Sequence, residues 1–206
     1  MSFLTHPEPD THLKGDELGR TYTPEPVARG IVEQLARRGY LTTAEGGPIR
    51  TAWEPCVGGG AFPRAIRAVV RSPVVILGYD LDEKAPGWVD CNTFMVRDAR
   101  DGHRGPRPVV DLAITNPPFG LEVGQEVTEA IVAAVRRAAF VSVLLMPVDY
   151  LTQAGFEHHV DEAAEIWPML PRPFPCDRGM ATYVWDQRHL GPREATALRA
   201  LRWRVT

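Results

Sequence analysis

Apolar runs of strand length alternate along this chain with stretches whose apolar residues recur at helical spacing. Val27, Ile31, Val32 and Leu35 lie on one face at that spacing, which predicts an amphipathic helix. Thr23-Pro24-Glu25 marks its start, with Thr as N-cap, Pro in the first turn and an acid at the positive end of the dipole. Gly39 ends it. Residues 49–53 predict a first strand, which runs into a glycine turn, Gly58-Gly59-Gly60, and a helix carrying Ile66, Val69 and Val70. Residues 74–79 form a second apolar run, ending at Asp80, and a short third strand at 94–96 ends at Asp98. Residues 109–115 are the fourth strand, ending at Asn116-Pro117-Pro118. A helix over 126–139 follows, with Val127, Ala130, Ile131, Ala134 and Val135 on one face, then a fifth strand at 140–146. Residues 166–170 and 182–185 are read as the final strands, with a Pro-rich stretch, 171–175, between them.

This alternation predicts a mostly parallel α/β sheet covered on both faces. Ligands of such sheets bind beyond the carboxyl ends of the strands. The polar punctuation falls at those ends: Glu54, Asp80, Asp98 and Asn116. Residues 1–20 read as a loose polar arm, and 21–206 as a single domain.

Composition narrows the classes. The 206 residues are 44% hydrophobic and 24% charged, as in a soluble globular protein. The longest apolar stretch, 138–148, is too short to cross a bilayer. The first residues lack the basic and apolar regions of a secretory signal, so a cytoplasmic location is expected. Cys56, Cys91 and Cys176 form no C-x-x-C pair, which suggests neither a disulfide framework nor a zinc site. His158 and His159 are expected on different faces of a helix without a third ligand, so no metal is expected. Trp53, Trp167 and Trp185 fall in strands and read as core. The net charge of -3 argues against an unaided grip on a long duplex. Arg97, Arg100, Arg104 and Arg107 lie beside the expected cleft, as a phosphate clamp or as a solvated loop.

The strand ends carry the chemistry. Glycines at 58–60 allow close approach of a ligand, but Glu54-Pro55-Cys56-Val57-Gly58-Gly59-Gly60-Ala61-Phe62 does not supply the dinucleotide pattern G-x-G-x-x-G. An acid at Glu54 would repel a pyrophosphate and attract the ammonium of an amino-acid-like ligand, such as S-adenosyl-L-methionine. Asp80 is placed to accept hydrogen bonds from ribose hydroxyls. Asn116-Pro117-Pro118-Phe119 is the strongest motif. An aromatic or amide NH2 is a weak nucleophile because its lone pair is delocalised. The Asn116 side-chain oxygen and the Pro117 carbonyl could each accept one of its N–H groups and aim the lone pair at a sulfonium methyl. Phe119 offers a flat face to a base taken out of its stack.

From Tyr22 onward the chain resembles the S-adenosylmethionine-dependent amino-methyltransferases of the DNA adenine-N6 class, especially compact phage-type members. Tyr22-Thr23-Pro24 resembles the segment touching the methionine end of the cofactor. Residues 54–62, including Glu54, Pro55, Gly58, Gly60 and Phe62, resemble the family's E-P-x-x-G-x-G-x-F turn. Asp80 matches the ribose-binding acid. Asp98, with Asp101 as rival, matches the acid that binds the cofactor's adenine amino group. Asn116, Pro117, Pro118 and Phe119 match the catalytic N-P-P-[FY] loop. Arg172 and Phe174, followed by Tyr183, resemble the late segment that completes the target pocket. The resemblance implies a Rossmann-like class I methyltransferase fold, with a mostly parallel seven-stranded sheet and helices on both faces. It implies S-adenosyl-L-methionine as cofactor, no metal, and N6 of adenine in DNA as target. RNA adenine, protein glutamine and a non-catalytic cofactor-binding subunit are the alternatives. No separate target-recognition domain is expected. The expected partners are therefore nucleic acid, DNA before RNA, with a specificity partner or a second copy, and no membrane.

Overall fold

The computed structural model describes residues 22–101, 109–119, 124–153, 155–170, 179–188, 197–198 and 201–202. In chain order the elements are α1 (Glu25–Arg37), β1 (Thr51–Glu54), α2 (Ala61–Val69), β2 (Val75–Asp80), β3 (Thr93–Val96), β4 (Val110–Thr115), α3 (Gln125–Ala138), β5 (Ala139–Pro147), α4 (Glu157–Asp161), β6 (Glu165–Leu170) and β7 (Met180–Asp186). Two-residue strands β8 (Ala197–Leu198) and β9 (Leu201–Arg202) both pair with β6.

The seven principal strands form one sheet in the order β3-β2-β1-β4-β5-β7-β6. β1 pairs in parallel with β2 and β4, and β4 with β5. β7 runs antiparallel to both of its neighbours. The strand order reverses between β1 and β4, which makes a crevice at their carboxyl ends.

Period-two alternation divides the core between the two faces. Leu112, Ile114, Val141, Val143 and Val184 pack with α1 and α2 residues such as Ile31, Leu35 and Ile66. Ala113, Leu144, Met146, Tyr183 and Trp185 pack with Ile131, Val132 and Val135 of α3. Each fully buried aliphatic side chain contributes about 1.5–3 kcal/mol relative to exposure. Trp53, Trp167 and Trp185 are all buried core residues.

Details differ from expectation at three places. The cap of α1 is Pro24, in extended conformation and without a side-chain cap bond, so Thr23, expected as the N-cap, stands one residue before it. β1 begins at Thr51 and not at Ile49, where the Arg50 and Thr51 N–H groups donate to the Asp111 carboxylate at 2.8 and 2.9 Å. His158 and His159 do not diverge: their rings lie 3.8 Å apart, although only His159 is buried. The Arg136 guanidinium, which can only donate, approaches His159 Nδ1, and Arg136 also pairs with Glu162. Burial, first, and then the Arg136 charge lower the His159 pKa to about 4, so its ring is neutral in the fold. Among the described residues no helix is long and apolar enough to cross a membrane, and no group of three metal-ligating side chains gathers.

Candidate active site

At the carboxyl ends of β1, β2 and β4 lies a cavity of about 610 Å³. The turn after β1 forms one wall. Gly58 has φ +49° and Gly60 φ +78°, left-handed values that glycine adopts without strain. A Cβ on Gly58 would meet the Tyr22 ring at 2.9 Å. The Gly58 N–H donates to Asp80 Oδ2 at 2.8 Å, and the Asp82 N–H donates to Asp80 Oδ1 at 3.0 Å. Asp80 thus holds the glycine turn in place while it faces the cavity. Each of its oxygens keeps a further lone pair for a ligand hydroxyl.

Glu54 forms part of the lining and is 1% exposed. The Thr115 hydroxyl and the Cys56 backbone N–H lie near enough to favour its charged form, but neither completes a hydrogen bond to a carboxylate oxygen. Desolvation dominates, and the Asp80 charge adds to it, so the Glu54 pKa stands well above its ordinary value of 4.5. Burial likewise raises the Cys56 thiol, which leaves it a poor nucleophile.

Asp98 lines the far side. Arg100 donates to it from its guanidinium and from its backbone N–H, at 2.6–3.0 Å. These bonds, the side-chain ones first, hold the Asp98 carboxyl below its ordinary range. Asp101 does not line the cavity; its N–H donates to the Asp98 carbonyl. Arg97 lines the rim and lies over the Tyr79 ring at 5.7 Å.

Asn116, Pro117, Pro118 and Phe119 line the same cavity. The Asn116 Oδ1 is buried, and Phe119 packs against both halves of the core. The Thr128 hydroxyl of α3 donates to the Pro118 carbonyl at 3.0 Å.

Most of the residues read from the sequence therefore meet at one place: Tyr22, Thr23, Glu54, Pro55, Gly58, Phe62, Asp80, Asp98 and the loop 116–119. Three stand elsewhere. Pro24 caps α1. Gly60 packs against Gly87, where a Cβ would meet Cα at 2.7 Å, so its need for glycine is internal packing. Tyr183, expected to touch substrate, is fully buried in β7, and its hydroxyl donates to the Pro147 carbonyl at 3.0 Å. β7 is covered on both faces, so a side chain there has no route to the cavity. Arg172 and Phe174 lie outside the described residues, as do Arg104 and Arg107. The structure adds Val57, Leu81, Ala99, Val127 and Ile131 to the wall. The signal for the last two was present: they lie in the first turns of the helix after the Asn-Pro-Pro-Phe strand end.

No family model matches the chain. A Type II methyltransferase, M.XamI of Xanthomonas campestris pv. amaranthicola, is 34% identical over 110 residues, which span 49% of this chain and 19% of that protein's length. Among solved structures, the methyltransferase subunit of a type I restriction-modification system from Streptococcus thermophilus superposes with a TM-score of 0.62 at 13% identity, over 82% of this chain and 45% of that one. A Listeria monocytogenes protein assigned to the class I S-adenosylmethionine-dependent methyltransferases gives a TM-score of 0.67 at 14% identity, over 91% and 68%. The fold is that of the class I methyltransferases. Another structure with this class I fold, magnesium protoporphyrin IX methyltransferase from Synechocystis, matches with a TM-score of 0.52 at 14% identity, over 78% of this chain and 77% of that one, and was solved with S-adenosylmethionine bound. That is the cofactor expected from the sequence. The residues present suit it: a buried, unpartnered carboxylate at Glu54 would be satisfied by its ammonium, and the glycine turn leaves room for backbone approach.

Proposed function

We propose that this chain is an S-adenosylmethionine-dependent methyltransferase that methylates the exocyclic N6 of adenine in DNA. The observation that carries the proposal is the convergence of Glu54, Asp80 and the loop 116–119 on one cavity at the sheet's switch point. Glu54 would hold the cofactor's ammonium, Asp80 its ribose hydroxyls and Asp98 its adenine amino group. When bound, the cofactor supplies an electrophilic methyl group on a sulfonium.

The chain's own residues act on the acceptor. The Asn116 side-chain oxygen and the Pro117 carbonyl each accept one N–H of the target amine, which turns its lone pair out of conjugation. The same acceptors stabilise the positive charge that develops on nitrogen, without reorganising as it does so. Phe119 stacks on the extruded base. The proton is lost to solvent after transfer, so no basic side chain is needed before attack. The likeness to M.XamI, a Type II methyltransferase, and to the methyltransferase subunit of a type I restriction-modification system favours DNA as substrate and a specificity partner.

Radiolabelled methyl transfer to duplex DNA, single-stranded DNA, RNA and protein in parallel tests the reading. Label in DNA, recovered as N6-methyladenine, is the expected result. Label in RNA or in protein glutamine alone would overturn the DNA assignment. No label anywhere, with no cofactor binding by calorimetry, would overturn the class.

A further inference from the structure

We propose that Thr128 is a positioning residue for methyl transfer, its hydroxyl holding the loop 116–119 in the attitude that presents acceptors to the target amine. The proposal rests on the amino-methyltransferase reading above. The loop has an unusual weakness. Pro117 and Pro118 have no N–H, so the segment that follows β4 cannot be held by ladder bonds through its donors. It is held through carbonyls and side chains. Thr128 supplies such a tie, donating to the Pro118 carbonyl at 3.0 Å.

The donor is well braced. Thr128 is fully buried in α3, next in sequence to Val127, which lines the cavity, and on a helix secured by buried Ile131, Val132 and Val135. A threonine inside a helix ordinarily returns its hydroxyl to a carbonyl three or four residues back. Here the hydroxyl reaches across to another segment ten positions away in sequence. A residue before proline is biased away from the helical region towards extended backbone, a restraint that acts on both Asn116 and Pro117. The tie occupies the Pro118 carbonyl, which leaves the acceptor role of the proposed mechanism to that of Pro117. α3 thereby walls the cavity with Val127 and Ile131 and sets the loop with Thr128, one of the three residues between them.

The full chain is tested as Thr128→Val, which keeps the shape and removes the donor, and as Thr128→Ser, which keeps the donor. Three readouts are taken: steady-state transfer to duplex DNA, cofactor affinity by calorimetry, and hydrogen exchange at the Asn116 and Phe119 amides. Thr128→Val is expected to lower kcat about a hundredfold, the scale of a small misplacement of reacting groups. KM and cofactor affinity should hold and exchange in the loop should speed up. Thr128→Ser should restore kcat. Wild-type turnover in Thr128→Val overturns the proposal, and so does equal damage in both variants or a collapse of cofactor affinity alongside kcat. If Thr128→Val does not fold, Thr128→Ala, which also removes the donor, replaces it under the same criteria. A wild type that methylates nothing defeats the functional reading alone. The tie is then judged by exchange, where faster loop exchange in Thr128→Val but not in Thr128→Ser upholds it and unchanged exchange overturns it.

Discussion

Glu54→Gln is expected to stabilise the chain at neutral pH while weakening its hold on the cofactor. The Glu54 carboxyl is 1% exposed, without a completed hydrogen bond, and faces the like charge of Asp80. Its pKa in the fold stands well above 4.5, the ordinary value it regains on unfolding. Between those two values the folded chain carries a proton that the unfolded chain has released, so stability falls as pH rises. The contribution is present in full below 4.5 and is gone once pH has passed the raised value. Across that window each pH unit costs about tenfold in the folded-to-unfolded ratio, a little over 1 kcal/mol. Glutamine does not titrate and removes the slope. Urea denaturation of both proteins from about pH 5 to about pH 8 should show the variant's advantage widening with pH. The difference between the two cancels the titrating groups that do not interact with Glu54. Parallel profiles would refute the argument, because they mean that Glu54 ionises in the fold without cost. Cofactor binding should move the opposite way. Loss of a charge-assisted contact of about 1.5–3 kcal/mol weakens affinity roughly tenfold to a hundredfold, and calorimetry with unchanged affinity would remove Glu54 from the ammonium site.

Three further outcomes are expected. Asn116→Ala should lower kcat about a hundredfold to a thousandfold with cofactor affinity intact; near-normal turnover would show that the amine is not held there. Tyr183→Phe strands the buried Pro147 carbonyl and should cost about 1–3 kcal/mol of stability, with KM for DNA unchanged; a raised KM would return Tyr183 to the substrate pocket. His159, held neutral with its pKa lowered from 6.5 to about 4, contributes stability that is present above 6.5 and is lost as pH falls towards 4. His159→Asn should flatten that acid limb in thermal melts, and an unaltered limb would count against burial as the cause.

The parts legible in the sequence were those governed by period and punctuation. The mainly apolar runs of β4 and β5 are buried along almost their whole length, and the carboxyl ends of β1, β2 and β4 coincide with Glu54, Asp80 and the Asn-Pro-Pro-Phe motif because a change from apolar to polar marks where burial stops. What was not legible depended on partners distant in sequence. Tyr183 has the residue type of a pocket wall, and only the packing of alternate β7 residues into the core on opposite faces of the sheet shows that the strand is covered on both. Gly60 belongs to a ligand-turn pattern, yet the atoms that exclude a Cβ belong to Gly87 and Asp90. Thr128 looks like an ordinary helix threonine until the Pro118 carbonyl is found beside it.

The contact between Gly60 and Gly87 makes two glycines a single lock. A Cβ on Gly87 would lie 2.4 Å from the Gly60 nitrogen, and one on Gly60 would lie 2.7 Å from the Gly87 Cα, while the Gly87 N–H donates to the Gly58 carbonyl at 2.9 Å. Backbone meets backbone on both sides, so neither position offers the other a compensating change. In a library that randomises this chain, the pair should behave as two columns that accept only glycine and admit no rescuing double substitution. Any attempt to reshape the cofactor pocket by grafting a different β2–β3 connection has to carry that glycine with it.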